Sequence, residues 1–126
     1  MHDSETIRVA RIYKNLQVSN FMLEHMLKPD YDAIAVHSNG IIITANPRAC
    51  EIFGYRHDEL LGLNSWKLFT AESSSIMMDH VLTGSEEPYE AMALHKNGHP
   101  LKLALKGKNF TLDEENLRAV LFRSLI

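Results

Sequence analysis

"SNGIIITANPRACEIFGY", residues 38–55, sets a glycine turn, a β-branched run, an Asn-Pro and a Phe-Gly-Tyr next to one another. Asn39-Gly40 lies between "AIAVHS" (33–38) and "IIITA" (41–45). Asn-Gly between two β-prone runs predicts a tight hairpin, because both turn positions need positive φ. Asn46-Pro47 predicts a helix start: the Asn side chain accepts from free amides and the proline fits the first helical position. That helix runs over about 47–53, and Gly54 ends it in the left-handed conformation. Asn39-Gly40 and Gly54 lie too far apart for a phosphate loop or a dinucleotide fingerprint.

Downstream, "HDELLG" and "SWKLF" read as short helical turns, and "SSSIMMDHVLT" (73–83) as a longer helix closed by Gly84, with Ser73, Ser74 and Ser75 as helix-start residues. Strands then return. "YEAMALHK" and "HPLKLALKGKNF" flank a second Asn-Gly at 97–98, and "DEEN" (113–116) turns the chain into a last strand, "LRAVLFRSLI". Strands at both ends of a helical middle predict an α+β fold with an antiparallel sheet. On the last strand Leu117, Ala119, Leu121 and Leu125 share one face and Val120, Phe122 and Ile126 the other, so both faces need a cover. Lys102, Lys106 and Lys108 read as a solvated face.

Upstream, residues 5–28 lack Gly and Pro until Pro29-Asp30 and predict one amphipathic helix. Val9, Ile12, Leu16, Leu23 and Met26 fall at a/d spacing, interrupted by Ser19 and widened by Tyr13, Met22 and Leu27. Such a stripe must cover an apolar surface of its own domain or of a second copy. The chain therefore divides into an N-terminal helix, 1–30, and one folded domain, 31–126.

The 126 residues suffice for one domain with a real core. Hydrophobic residues make up 45%, and the net charge of −3 gives no general attraction to nucleic acid or anionic membrane. Cys50 has no cysteine partner for a disulfide or a thiolate metal site, which suits a reducing cytosol. No run approaches the roughly 20 apolar residues of a membrane span, and the N-terminus lacks a signal peptide's apolar stretch. The chain stops on an apolar strand without a polar exit, which predicts continuation past Ile126.

The stretches "DAIAVHSNGIIITANPRACEIFGYRHDELLG" (32–62), "TG" (83–84) and "KNGHPLKLAL" (96–105) resemble the PAS sensory family from about residue 31 to the end. Arg56 departs from the pattern, since many members carry a small capping residue there. The resemblance implies a five-stranded antiparallel sheet with short helices on one face, a cavity between them, and an N-terminal dimerising helix in which Val9, Ile12, Leu16 and Leu23 form the interface. It implies a cytoplasmic, non-catalytic input module of a larger protein: a sensor histidine kinase of a two-component system, or an enzyme of cyclic-di-GMP turnover. The partners expected are a second copy, an effector domain after Ile126 and a small-molecule ligand; the alternative is a ligandless interaction domain. Candidate cavity-lining residues are Ile43, Phe53, Trp66, Leu68, Met77, Leu94, Leu103 and Phe122.

No cofactor is implied outright. "GLNSWKLF" (62–69) resembles the motif around the photoactive cysteine of LOV-type members, but Ser65 stands at that position, and a hydroxyl cannot replace the thiolate that adds to flavin. Non-covalent flavin, with Trp66 stacking on it, is one alternative; simple packing of Trp66 is the other. For haem, the ligand position of haem-binding members falls near Ser73. That leaves Met77, Met78 and His80, which cannot all face one pocket on a 3.6-residue period. His95 and His99 straddle the second Asn-Gly, but two ligands are fewer than zinc needs. They and His37 are expected to be exposed. No nucleophile motif is present.

Overall fold

Asn39 and Gly40 hold φ of +52° and +91° and join β1 (Ala33–Ser38) to β2 (Ile41–Ala45), with Ser38 paired to Ile41 across the turn. The computed structural model describes residues 26–125. Val9, Ile12, Leu16 and Leu23, and with them the expected dimerising helix up to residue 25, lie outside the described residues. Next come α1 (Pro47–Phe53), α2 (His57–Leu60), a 3₁₀ turn (Ser65–Leu68) and α3 (Ala71–Thr83), then β3 (Tyr89–Leu94), β4 (Pro100–Leu112) and β5 (Glu115–Ser124). The strands form one antiparallel sheet in the order β2-β1-β5-β4-β3.

Local chemistry explains the helix ends. Asn46 Oδ1 accepts the Ala49 N–H at 3.0 Å, Pro47 opens α1, and Gly54 closes it at φ +81°. Arg56 offers no side-chain acceptor at the start of α2, and the Glu59 carboxylate accepts the Arg56 N–H at 2.9 Å instead. The serines that open α3 do not cap it. Thr70 Oγ1 accepts from Ser73 N, which frees Ser73 Oγ to accept the Met92 N–H at 2.7 Å and Ser74 Oγ to donate to the Trp66 carbonyl at 2.6 Å. The second Asn-Gly also turns the chain differently from the first. Only Gly98 has positive φ, and the turn closes from the Gly98 N–H to the His95 carbonyl, with His95 and His99 paired behind it.

The segment around the 3₁₀ turn covers part of both sheet edges. Along β2, Ile42 N donates to Leu63 O, Gly62 N to Ile42 O and Ser65 N to Gly40 O, at 2.9, 2.8 and 2.7 Å. Along β3, Thr70 N donates to Met92 O at 3.1 Å. Part of the edge backbone that could otherwise pair with another chain is thereby used within the domain.

The two faces of the sheet bury separate clusters. On the helix side Ala33, Ile42, Leu60, Leu105 and Phe122 pack with Phe53, Phe69 and Met77. On the other side Ile34, Val36, Ile43, Leu117, Ala119 and Leu121 are buried, with Met26, Leu27, Tyr31, Phe110 and Leu112 against them. Val120 and Phe122 thus face the helices while Leu117, Ala119 and Leu121 face away, as the alternation on the last strand predicts. Among the described residues no helix is long and apolar enough to cross a membrane.

Candidate functional site

Between the inner sheet face and the helices lies a small cavity with an almost wholly apolar wall. Its lining includes Ile42, Phe53, Leu68, Met77, Leu105 and Phe122. Two polar side chains break that wall, His37 from β1 and Ser65 from the 3₁₀ turn. His37 Nε2 and Ser65 Oγ are buried and, among the described residues, have no hydrogen-bond partner.

The local fold explains the state of each. His37 Nδ1 accepts the Gly40 N–H at 3.1 Å, so the proton of the neutral ring sits on Nε2, which becomes a donor. Burial holds the His37 pKa down to about 4, with the Arg118 guanidinium pressing in the same direction, so the ring is neutral at physiological pH. Ser65 uses its backbone N–H on Gly40 O, which fixes the hydroxyl in place without satisfying it. Trp66 is held by contact with the same hairpin. A Cβ on Gly40 would lie 2.9 Å from Trp66 Cε2 and Nε1, and the His37 and Trp66 rings meet edge to face at 6.0 Å.

Of the expected lining residues, Phe53, Leu68, Met77 and Phe122 come together around this cavity. Leu103 is buried in the same cluster without lining it, and Trp66 packs on the cluster from the side. Ile43 is a correction: it faces the other side of the sheet. Strict alternation inward from Ala45 would select Ile43, but the β1–β2 register slips between Val36 and His37, with His37 opposite Ile42. That bulge turns Ile42 inward in its place. Leu94 is a second correction. Ala91 and Ala93 take the inner face of β3, which leaves Leu94 half-buried on the opposite parity. His37 is a third, being 4% exposed. Its position two residues beyond Ala35 and four beyond Ala33 was the available signal, since those alanines share the inner parity.

The cavity holds about 30 Å³, the scale of one water molecule. Neither a flavin nor a haem fits that space with the side chains as they stand. Ser65 has no thiol to offer a flavin, and Ser73 is engaged by Met92. His80 lies away from the cavity, stacked on Tyr89 with ring centroids 3.9 Å apart. His95 and His99 stack on each other at 4.5 Å, and among the described residues no group of three or more metal-ligating side chains is assembled.

The sequence profile of the PAS domain matches residues 32–124. Among solved structures, the PAS domain of an HTR-like protein from Haloarcula marismortui is 23% identical, with a TM-score of 0.65 over 92% of this chain and 99% of that one. A PAS domain from a two-component sensor histidine kinase is 11% identical, with a TM-score of 0.70 over 86% and 98%. A LOV protein from Rhodobacter sphaeroides is 18% identical, with a TM-score of 0.62 over 74% of this chain and 59% of that one. These identities establish a common fold and nothing finer. No curated protein sequence matches the chain significantly. A profile match spanning nearly the whole described region, joined to this sheet order and helix placement, shows that the chain belongs to the PAS domain family.

Proposed function

We propose that this PAS domain is the cytoplasmic, non-catalytic input module of a multidomain signalling protein, reading a compact ligand in its inner cavity. In this reading it works as a homodimer through Val9, Ile12, Leu16 and Leu23 together with the outer sheet face. It passes its state to an effector joined after Ile126, a histidine kinase or a cyclic-di-GMP turnover enzyme. The observation that carries the ligand is the pair of unpartnered polar atoms, His37 Nε2 and Ser65 Oγ, in one apolar cavity. Each such atom costs about 1–3 kcal/mol when left dry, and a small molecule with a hydrogen-bond acceptor would recover that cost. Met77, unbranched and adaptable, is the wall residue best suited to make room. Ligand-driven movement of the sheet would then bias the discrete packings of a helix pair.

The cavity volume of about 30 Å³ favours a second reading, a ligandless PAS–PAS interaction domain. Native mass spectrometry and an absorption spectrum of the protein from its own host separate the two. A bound small molecule that is lost in Ser65→Val supports the first; an empty, colourless dimer supports the second. For the dimer, Leu16→Glu is expected to halve the mass measured by light scattering, and an unchanged mass removes that helix from the interface.

A further inference from the structure

We propose that an open groove outside the inner cavity, between the C-terminal half of α3 and the β4–β5 end of the sheet, binds a small monocarboxylate on Arg118. The groove has a volume of about 430 Å³, and its lining includes His37, Asn39, Asn109, Asn116 and Arg118 with Val81 as an apolar wall. Arg118 is 4% exposed and sits on β5 directly opposite Asn109 of β4. Its guanidinium lies across Gly107, the one neighbouring position without a side chain, where a Cβ would collide with it.

What this cation touches is neutral. Nη1 donates to Asn109 Oδ1 at 2.8 Å and Nη2 to the Ser85 carbonyl at 2.7 Å. Among the described residues no carboxylate pairs with it. Tyr89 and then Glu86 act on it only through space, with Glu86 Oε2 held by the Asn109 N–H at 2.8 Å. A guanidinium has five N–H donors, so the two bonds leave donor capacity for an anion in the groove. A buried charge without a counter-ion is costly, and burial accordingly pulls the Arg118 pKa down from its usual value.

The surroundings choose the class of anion. A carboxylate matches the planar fork and brings one negative charge to one positive charge. A phosphate dianion would bring a second charge towards Glu86 and the acidic Asp113-Glu114-Glu115 turn, where like charges repel. Val81 suits a short alkyl body, and Asn39 and Asn116 supply neutral polar contacts at its side.

The test is a titration of the folded protein with sodium butyrate, butyramide and inorganic phosphate, followed by amide chemical shifts. Butyrate is expected to give saturable shifts at Asn109, Asn116 and Arg118, butyramide none, and phosphate a weaker response. Arg118→Gln is expected to lose the butyrate response. Because that variant also loses the bond to Ser85, Val81→Glu provides the second arm: it sets a carboxylate in the groove wall and is expected to abolish the response while staying folded. Equal shifts with butyramide, tighter binding of phosphate, or butyrate binding that survives Val81→Glu would overturn the proposal.

Discussion

His37 Nδ1 accepts the Gly40 N–H at 3.1 Å, so the ring that closes the first hairpin must present Nε2–H to the cavity. This arrangement requires a neutral ring, and burial followed by the Arg118 charge lowers the His37 pKa from 6.5 to about 4. Below about pH 6.5 the unfolded chain therefore takes up a proton that the folded chain refuses. The corresponding stability is complete above pH 6.5, is lost as the pH falls towards 4, and changes no further below that. Its size is about 3 kcal/mol. His37→Gln keeps an acceptor for Gly40 but cannot titrate. Urea unfolding at pH 7 and pH 4 is expected to show wild type losing about 3 kcal/mol more than the variant; equal losses would mean that His37 titrates normally.

Ser65 contributes through its backbone and costs through its side chain. Its N–H bond to Gly40 O survives substitution by alanine, whereas its hydroxyl has no partner among the described residues. Ser65→Ala is expected to raise the unfolding free energy of ligand-free protein by about 1 kcal/mol, with the denaturant slope unchanged. A loss of stability instead would show that a molecule in the cavity satisfies the hydroxyl.

The sequence made the frame legible wherever a backbone requirement singles out a residue. Asn39-Gly40, Asn46-Pro47, Gly54 and Gly84 each carry such a requirement, and each marks an element boundary where expected. The cavity was legible only in part, because its lining depends on register. One bulge exchanged Ile43 for Ile42, and the inner face of β3 went to two alanines instead of Leu94. The polar pair was hidden for a different reason. His37 and Ser65 lie 28 positions apart by number and meet through the edge contact between β2 and the 3₁₀ turn, which no local pattern encodes.

Glycine within a strand usually weakens it, so alanine would ordinarily be neutral or better there. Gly107 reverses the sign because the Arg118 guanidinium occupies the place of its side chain. Gly107→Ala is expected to destabilise the domain by about 2 kcal/mol, since the displaced guanidinium also leaves the Ser85 carbonyl. The pair Gly107→Ala and Arg118→Gln should then cost less than the sum of the single changes, and strict additivity in denaturation would show that the two positions are independent.

Asn46 combines two tasks that ordinary helix caps keep apart. Its Oδ1 accepts from Ala49 N at the start of α1, at 3.0 Å, and from Ile34 N of β1, at 3.2 Å, while Nδ2 donates to the Asp32 carbonyl at 3.1 Å. One amide therefore ties the first helix to the first strand. Losing a cap alone costs about 1 kcal/mol, and the strand bonds add to it, so Asn46→Ala is expected to cost about 2 kcal/mol. Asn46→Asp retains both acceptor bonds and loses only the donor to Asp32, which places it between wild type and Asn46→Ala in thermal or urea unfolding. If the two variants unfold together, the donor bond dominates and the capping bonds contribute little.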